Sequence, residues 1–396
     1  MQNFKLNEID ILSNQDWTFP TNTAYGPGRF KEIGDHCAKF GMKNPLIVTD
    51  SGSTKLPFIN ELKELLQKVN IKSDLFSDIS PNPREDEVLV GRKKFKEGNH
   101  DSIIAIGGGS AMDGGKLICL TANNNVPLRD FEFELTPPKI SKDNPFPKII
   151  TIPTTAGTGA ETEITAMVTY LKEEMKFCMW HPDARPVLAL VDPELTLGLP
   201  SSLTAWTGVD AMVHAIEGYC VPGFHPLCDG SALESLSLIS KSLYLAVEEP
   251  KNLVARGGMH IGSYLGGIAF LKGLGNVHAI SHMVGAEFNT QHGLTNAIIL
   301  PVVLKYNLLD MNEKVKRMSE AMQFEEHSVD SFIDNIEKIL DRLQIPKSLS
   351  EIGVTEDCVD RIAEKAMKDQ AYATNPKKAP YEDMKKMVLQ SIKKAR

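Results

Sequence analysis

The sequence predicts two unlike halves: an α/β domain on a mostly parallel sheet over residues 1–198, then an all-helical domain over residues 199–396. Three observations predict it. Short apolar runs alternate with amphipathic stretches as far as "VDPELTLGLP", the pattern of strands joined by crossover helices and covered on both faces. From about Ser201 onward almost every stretch carries a helical period instead. A chain of 396 residues also exceeds what one small core organises.

The elements follow in order. "NPLIVTD" (Asn44 to Asp50) reads as a buried strand, "LPFINELKELLQKVN" as an amphipathic helix and "IKSDLFSDI" as the next strand. After the proline-marked "PNPR" a helix starts at about Glu85. "DSIIAIGGGS" is a strand running into a glycine loop, and "AMDGGKLICLTAN" is the helix behind it. "FPKIITIPTTAGTG" repeats the strand-into-loop pattern, and β-type runs near Met167–Tyr170 and Val187–Val191 close this half. Beyond a boundary near Leu197–Ser201, "LTAWTGVDAMVHAIEGY", "PLCDGSALESLSLISKSLYLAVEE" and "VARGGMHIGSYLGGIAFLK" are helices, followed by charged amphipathic ones. No internal repeat is present. A cleft between two unlike domains is the expected place for a ligand.

Composition narrows the class. The net charge of −8 is mild and dispersed, which argues against nucleic acid or an anionic membrane as the main partner. Six scattered cysteines without a C-x-x-C pair fit reduced thiols in a cytoplasmic protein. "MQNFKLNEIDIL" lacks the basic start and apolar run of an export signal. No stretch approaches the roughly 18–20 apolar residues of a membrane span.

Chemistry concentrates in two segments. "GVDAMVHAIEGY" places Asp210 and His214 four positions apart on one helix face, because a helix turns about every 3.6 residues. In "GLGNVHAISHMVGAEFNTQHG", His278 and His282 share a face, and His292 follows across a Gly-rich break. Carboxylate plus imidazole without thiolate suits Fe(II), zinc or nickel. Asp210 and His214 alone fit a cap or a core hydrogen bond better than a metal; the second cluster brings the metal reading level, and the other half of the chain lifts it further.

Gly107, Gly108, Gly109 and Ser110 lie between a strand and a helix. Backbone N–H groups there can approach a pyrophosphate, aided by the helix N-terminus. The loop is neither G-x-G-x-x-G nor a P-loop, and glycine also serves tight turns on steric grounds alone. The second loop, with Thr154, Thr155, Gly157, Thr158 and Gly159, adds hydroxyls at the end of another strand, the usual ligand edge of an open α/β sheet. Asp50 closes its strand and either accepts bonds from a ribose diol or caps the following turn.

These segments are similar to the iron-containing (group III metal-dependent) alcohol dehydrogenases. The likeness runs from "AYGPGRF" to "DQAYATNPKKAPYEDM" and is densest in "IIAIGGGSAMDGGK", "IPTTAGTGAETE", "VDPELT", "GVDAMVHAIEGY" and "HAISHMVGAEFNTQHGLTNAIILP". The resemblance implies an N-terminal Rossmann-like domain with a helical C-terminal domain, in a homodimer or larger homo-oligomer. It implies Asp210, His214, His278 and His292 as metal ligands, usually of Fe(II), with zinc or another divalent ion as alternatives. It implies His282 as a catalytic proton-relay group beside the nicotinamide. Asp50, Asn82, Gly108, Gly109, Ser110, Asp113, Thr154, Thr155, Thr158 and Lys176 match cofactor positions, with Asp50 favouring NAD(H) over NADP(H). The implied activity is interconversion of a small primary alcohol and its aldehyde. Three departures stand out: Ala160 for the usual serine, "DGGK" for "DxAK", and "AFLKGLGNVH" in place of a longer form. The last points to a subgroup that includes hydroxyacid enzymes of the 4-hydroxybutyrate type, the main alternative. Lys272, His181 and Arg185 are the cations that such a carboxylate would need. A dehydroquinate-synthase-like lyase is a further rival.

Overall fold

The computed structural model describes residues 21–396, so the reading of the first twelve residues lies outside them. Among the described residues, a six-stranded sheet runs in the order β1-β8-β5-β4-β2-β3. Its strands are β1 (Thr23–Tyr25), β2 (Pro45–Asp50), β3 (Asp74–Ile79), β4 (Ser102–Gly107), β5 (Lys148–Pro153) and β8 (Leu188–Val191). Every pairing in it is parallel. Four helices cross between its strands: α1 (Ile33–Phe40), α2 (Pro57–Lys68), α3 (Glu85–Glu97) and α4 (Gly109–Ala122).

The strands alternate their burial between two cores. Leu46, Val48, Ile103, Ala105 and Ile149 join one apolar cluster, while Ile47, Ile104, Ile106, Ile150 and Ile152 join another. A sheet apolar on both faces must be covered on both, which explains why these strands read as unbroken apolar runs. β2 is flanked by β3 on one side and β4 on the other. The chain order therefore reverses across β2 and β4, and a crevice opens at their carboxyl ends beside Asp50 and Gly107.

Two strands escaped the sequence reading. β1 is only three residues long, too short for periodicity to register. β7 (Met175–Met179) pairs antiparallel with β6 (Ala166–Tyr170) as a separate hairpin, so the run at Met167–Tyr170 is not part of the parallel sheet. The strand signal of β7 is masked by the charged turn "KEEMK".

Beyond β8 the structure is helical: α5 (Ser201–Cys220), α6 (Pro226–Glu248), α7 (Leu253–Ala269), α8 (Asn276–Phe288), α9 (His292–Asn307), α10 (Asn312–Ala321), α11 (Val329–Arg342), α12 (Val359–Ala366), α13 (Gln370–Thr374) and α14 (Tyr381–Lys393). These helices share their own apolar core. α5 is buried almost all round from Thr204 to Cys220, as befits a helix with little apolar asymmetry. No helix among the described residues is long and apolar enough to cross a membrane.

Backbone meets backbone where the two halves touch. A Cβ built on Gly267 of α7 would lie 2.8 Å from the Gly159 carbonyl oxygen, and one on Gly157 would lie 2.8 Å from the Thr207 carbonyl oxygen. Neither obstacle can rotate away. Gly267→Ala is therefore expected to cost about 1–3 kcal/mol by overpacking, read as a lower urea midpoint. An unchanged midpoint would show that the halves separate freely at this contact.

Candidate active site

A cleft of about 410 Å³ lies between the carboxyl edge of the sheet and helices α5, α8 and α9. It is lined by Asn82, Gly108, Gly109, Ser110, Asp113, Thr155, Thr158 and Lys176 on one side, and by His214, His278, His282 and His292 on the other. Asp50, Thr154 and Asp210 are not among its lining residues. The structure thus brings most of the sequence-predicted residues to one cavity and leaves these three out of its lining.

The metal-type cluster is compact. One donor atom each from Asp210, His214, His278 and His292 lies within 4.8 Å of all the others. Two come from α5 at the predicted helical spacing, one from α8 and one from the first residue of α9. The break before His292 is not made by glycine: α8 ends at Asn289 in the left-handed conformation, φ 52°, and Gly293 follows the histidine instead. That glycine is needed because a Cβ there would come within 2.5 Å of the Trp206 carbonyl oxygen on α5.

Second nitrogens decide what each imidazole can offer. The Nδ1 of His278 is 2.7 Å from Glu217 Oε2, and the Nδ1 of His214 is 3.3 Å from the Gly157 carbonyl. With those protons on Nδ1, both Nε2 lone pairs face each other 3.0 Å apart and cannot bond to one another. Asn296 Nδ2 lies 3.1 Å from the same His278 Nε2, and the two convergent lone pairs suit a shared cation. Burial pushes the His214 imidazole down to about 4 and holds His292 well below its ordinary value. Both rings are therefore neutral, as a metal ligand must be. The donor set fits a divalent ion.

His282 differs from the other three. Its Nδ1 lies 2.9 Å from Asp369 Oδ2, so its Nε2 is left for the cleft. Its ring stacks on that of His292 at 5.6 Å between centroids.

The two glycine-rich loops form one floor. The Thr154 N–H donates to the Gly107 carbonyl at 2.8 Å, and a Cβ on Gly109 would come within 2.6 Å of Thr158. Gly107 has φ 144°, open to glycine and strained for other residues. Gly108 caps α4, directing its free N–H groups at the cleft. Asp50 accepts from Ser53 N and Oγ at 3.0 and 2.7 Å, the turn-capping alternative, while keeping its place beside Gly107. Below the floor Lys116, only 2 % exposed, bonds the carbonyls of Ala160 and Thr165 and pairs with Glu163 and Asp113. Burial raises the Glu163 carboxyl to about 7 and lowers Lys176 to about 8. At position 115 the missing methyl matters: a Cβ on Gly115 would sit 2.6 Å from Ala105 Cβ.

Sequence reasoning missed Glu217, Asp369 and Asn296. Glu217 carried a usable signal, since it follows Asp210 and His214 at +7 and +3 on the same helix face. It also accepts the N–H groups of Gly275 and Val277 at 3.0 and 2.8 Å, anchoring the start of α8. Asn296 follows His292 by one helical turn and donates to Asp210 Oδ1 at 2.7 Å. Asp369 is distant in sequence and gave no periodic cue. Of the candidate carboxylate-binding cations, neither His181 nor Arg185 lines the cleft. Lys272 does, but its ammonium is spent on Asp229.

A parallel-sheet domain whose glycine loops face a largely buried Asp/His₃ cluster is the arrangement of a metal- and dinucleotide-dependent enzyme. Residues 20–193 match the family model described as iron-containing alcohol dehydrogenase, and residues 204–392 match that of the iron-containing alcohol dehydrogenase family C-terminal region. The chain is 36 % identical to alcohol dehydrogenase 4 of Schizosaccharomyces pombe over 92 % of this chain and 86 % of that protein. It is 31 % identical to the NAD-dependent methanol dehydrogenase of Bacillus methanolicus, over 94 % of this chain and 98 % of that one. The crystal structure of a 1,3-propanediol oxidoreductase superposes with a TM-score of 0.89 at 32 % identity, covering 95 % of this chain and 99 % of the other. The chain belongs to the iron-containing alcohol dehydrogenase family.

Glu217→Gln removes the charge that fixes the His278 tautomer and should weaken zinc or cobalt binding by about 10–100-fold. Competition with a chromophoric chelator measures it. Undiminished affinity would reduce Glu217 to a cap for α8.

Proposed function

We propose that the chain interconverts a short, uncharged primary alcohol and its aldehyde with NAD(H), using a divalent metal, foremost Fe(II), held by Asp210, His214, His278 and His292. One observation carries this reading: four convergent donors and a glycine-lined sheet edge share one cleft. When bound, the ion would supply Lewis acidity to a substrate oxygen and the dinucleotide a hydride acceptor.

The protein's own residues do the rest. Glu217 and the Gly157 carbonyl hold the protons of His278 and His214 on Nδ1, so that Nε2 of each can bind. Asn296 steadies the Asp210 carboxylate. Gly108, Gly109 and Ser110 present N–H groups for a pyrophosphate, and Asn82, Asp113, Thr154, Thr155, Thr158 and Lys176 are proposed as further dinucleotide contacts. His282 has Nδ1 anchored by Asp369, which leaves Nε2 free to exchange a proton with the substrate oxygen. Phe270, Leu271 and Leu274 line the cleft and exclude water around a small apolar substrate.

The paired state of Lys272 favours simple alcohols over hydroxyacids, because taking its charge for a substrate carboxylate would strand Asp229. It also weighs against a lyase acting on an anionic polyol, which needs several free cations. Residues 1–198 and 199–396 are proposed as the two domains, since largely separate apolar cores occupy them, with Ala156 of the first half joining the helical one. A cytoplasmic location is supported by six buried, unpaired cysteines. A homodimer or larger homo-oligomer is part of the same proposal.

Protein loaded with Fe(II) or zinc should reduce NAD in the presence of butan-1-ol and favour it over 4-hydroxybutyrate, followed by NADH absorbance. A strong preference for the hydroxyacid that Lys272→Ala abolishes would overturn the choice of substrate. NAD should be used more efficiently than NADP, because the Asp50 carboxylate repels a 2′-phosphate. Asp50→Gly should narrow that gap; equal kcat/KM for both cofactors in the unaltered protein would remove Asp50 from the ribose site.

A further inference from the structure

Two of the four clustered donors are held from across the cleft. The Nδ1 of His214 bonds the carbonyl of Gly157, which lies in the Thr154–Gly159 loop after β5. His292 opens α9 immediately after the turn Asn289-Thr290-Gln291. That turn is gripped by Asn82, whose Nδ2 donates to Asn289 Oδ1 at 2.8 Å and reaches the Thr290 carbonyl at 3.5 Å. Asn82 is buried, lines the cleft and stands after β3 in the sheet half. His278, by contrast, is held by Glu217 within the helical half.

The consequence is mechanical. Asn289 sits at the residue that stops α8 and redirects the chain, so its side-chain bond sets where α9 begins and where His292 points. Among the described residues no group bonds the Nδ1 of His292; its ring is placed by the turn that starts α9, by Asn296 Nδ2 at 3.1 Å from its Nε2 and by stacking on His282. A ligand that bonds Asn82 therefore bears on the turn behind His292, and one seated on the Thr154–Gly159 loop bears on the acceptor behind His214.

We infer that Asn289 is a positioning residue that, together with the Gly157 carbonyl, couples metal and dinucleotide binding. A seated dinucleotide aims two of the four donors and tightens the metal. By thermodynamic reciprocity the metal tightens the dinucleotide by the same factor, typically about 5–150-fold. This rests on the proposed metal and dinucleotide reading of the cleft.

The test uses the full chain with zinc and NADH as probes, and needs no turnover. NADH fluorescence titrations with and without zinc, and chelator competition for zinc with and without NADH, each give the coupling factor. Native protein should show the same factor, at least about 5-fold, in both directions. Asn289→Gly keeps the left-handed backbone but deletes the acceptor, so the factor should fall toward unity while metal-free protein still binds NADH as before. Asn289→Asp restores an acceptor and should restore the coupling. Equal NADH affinity with and without zinc in native protein, or full coupling in Asn289→Gly, overturns the inference and leaves the functional reading intact. Failure of zinc or of NADH to bind native protein at all overturns both.

Discussion

A buried imidazole can present a lone pair only if the proton on its other nitrogen has somewhere to go, and the site is organised around that constraint. Glu217, the Gly157 carbonyl and Asp369 are three different solutions, drawn from α5, the loop after β5 and the segment before α13. Each fixes a tautomer and a ring orientation at once. Two of the three imidazoles of the Asp/His₃ cluster, and His282 beside it, thus depend on the acceptors behind them. Those acceptors dictate which elements must pack together: α5 against α8, the loop after β5 against α5, and α13 against α8.

Such packing is possible because side chains are absent where backbones must meet. Gly157 and Gly159 lie against Thr207 and Gly267, and Gly293 lies against Trp206. Each of these contacts brings one segment of the cleft within reach of another: the loop after β5 to α5 and α7, and His292 to Asp210. The buried Lys116 completes the arrangement from beneath by bonding the carbonyls of Ala160 and Thr165, beyond the loop. A buried ammonium is costly unless its donors are used, and here Glu163 and Asp113 share its charge. Lys314 plays a similar part at the far end of α5, donating to the Tyr219 carbonyl at 2.6 Å, where a cation suits the negative end of the helix.

Much of this was legible in the sequence, and the failures have physical reasons. Strands β2, β4 and β5 were plain because burial on both faces leaves an unbroken apolar run. Asp210 and His214 were plain because helical spacing converts directly into a shared face. β1 was too short to carry a period, and β7 was hidden by its charged turn. The break before His292 was misread as a glycine effect, when Asn289 supplies the positive φ. Asp50 reached the expected strand end with its carboxylate engaged by Ser53, a choice between two local bonds that spacing does not settle. Asp369 could not be found by pattern at all, since 87 positions separate it from His282. Lys272 looked like a free cation in one dimension and is neutralised by Asp229 in three.

The loop from Thr154 to Gly159 is fastened on both sides. On the sheet side the Thr154 N–H holds Gly107, and Lys116 holds Ala160 just beyond the loop; on the helical side stand Thr207, His214 and Gly267. A segment clamped to both halves is a poor hinge, because opening would break backbone contacts that have no side chains to stretch. A dinucleotide held on such a floor would leave by breaking its own bonds, one after another, rather than by an opening of jaws.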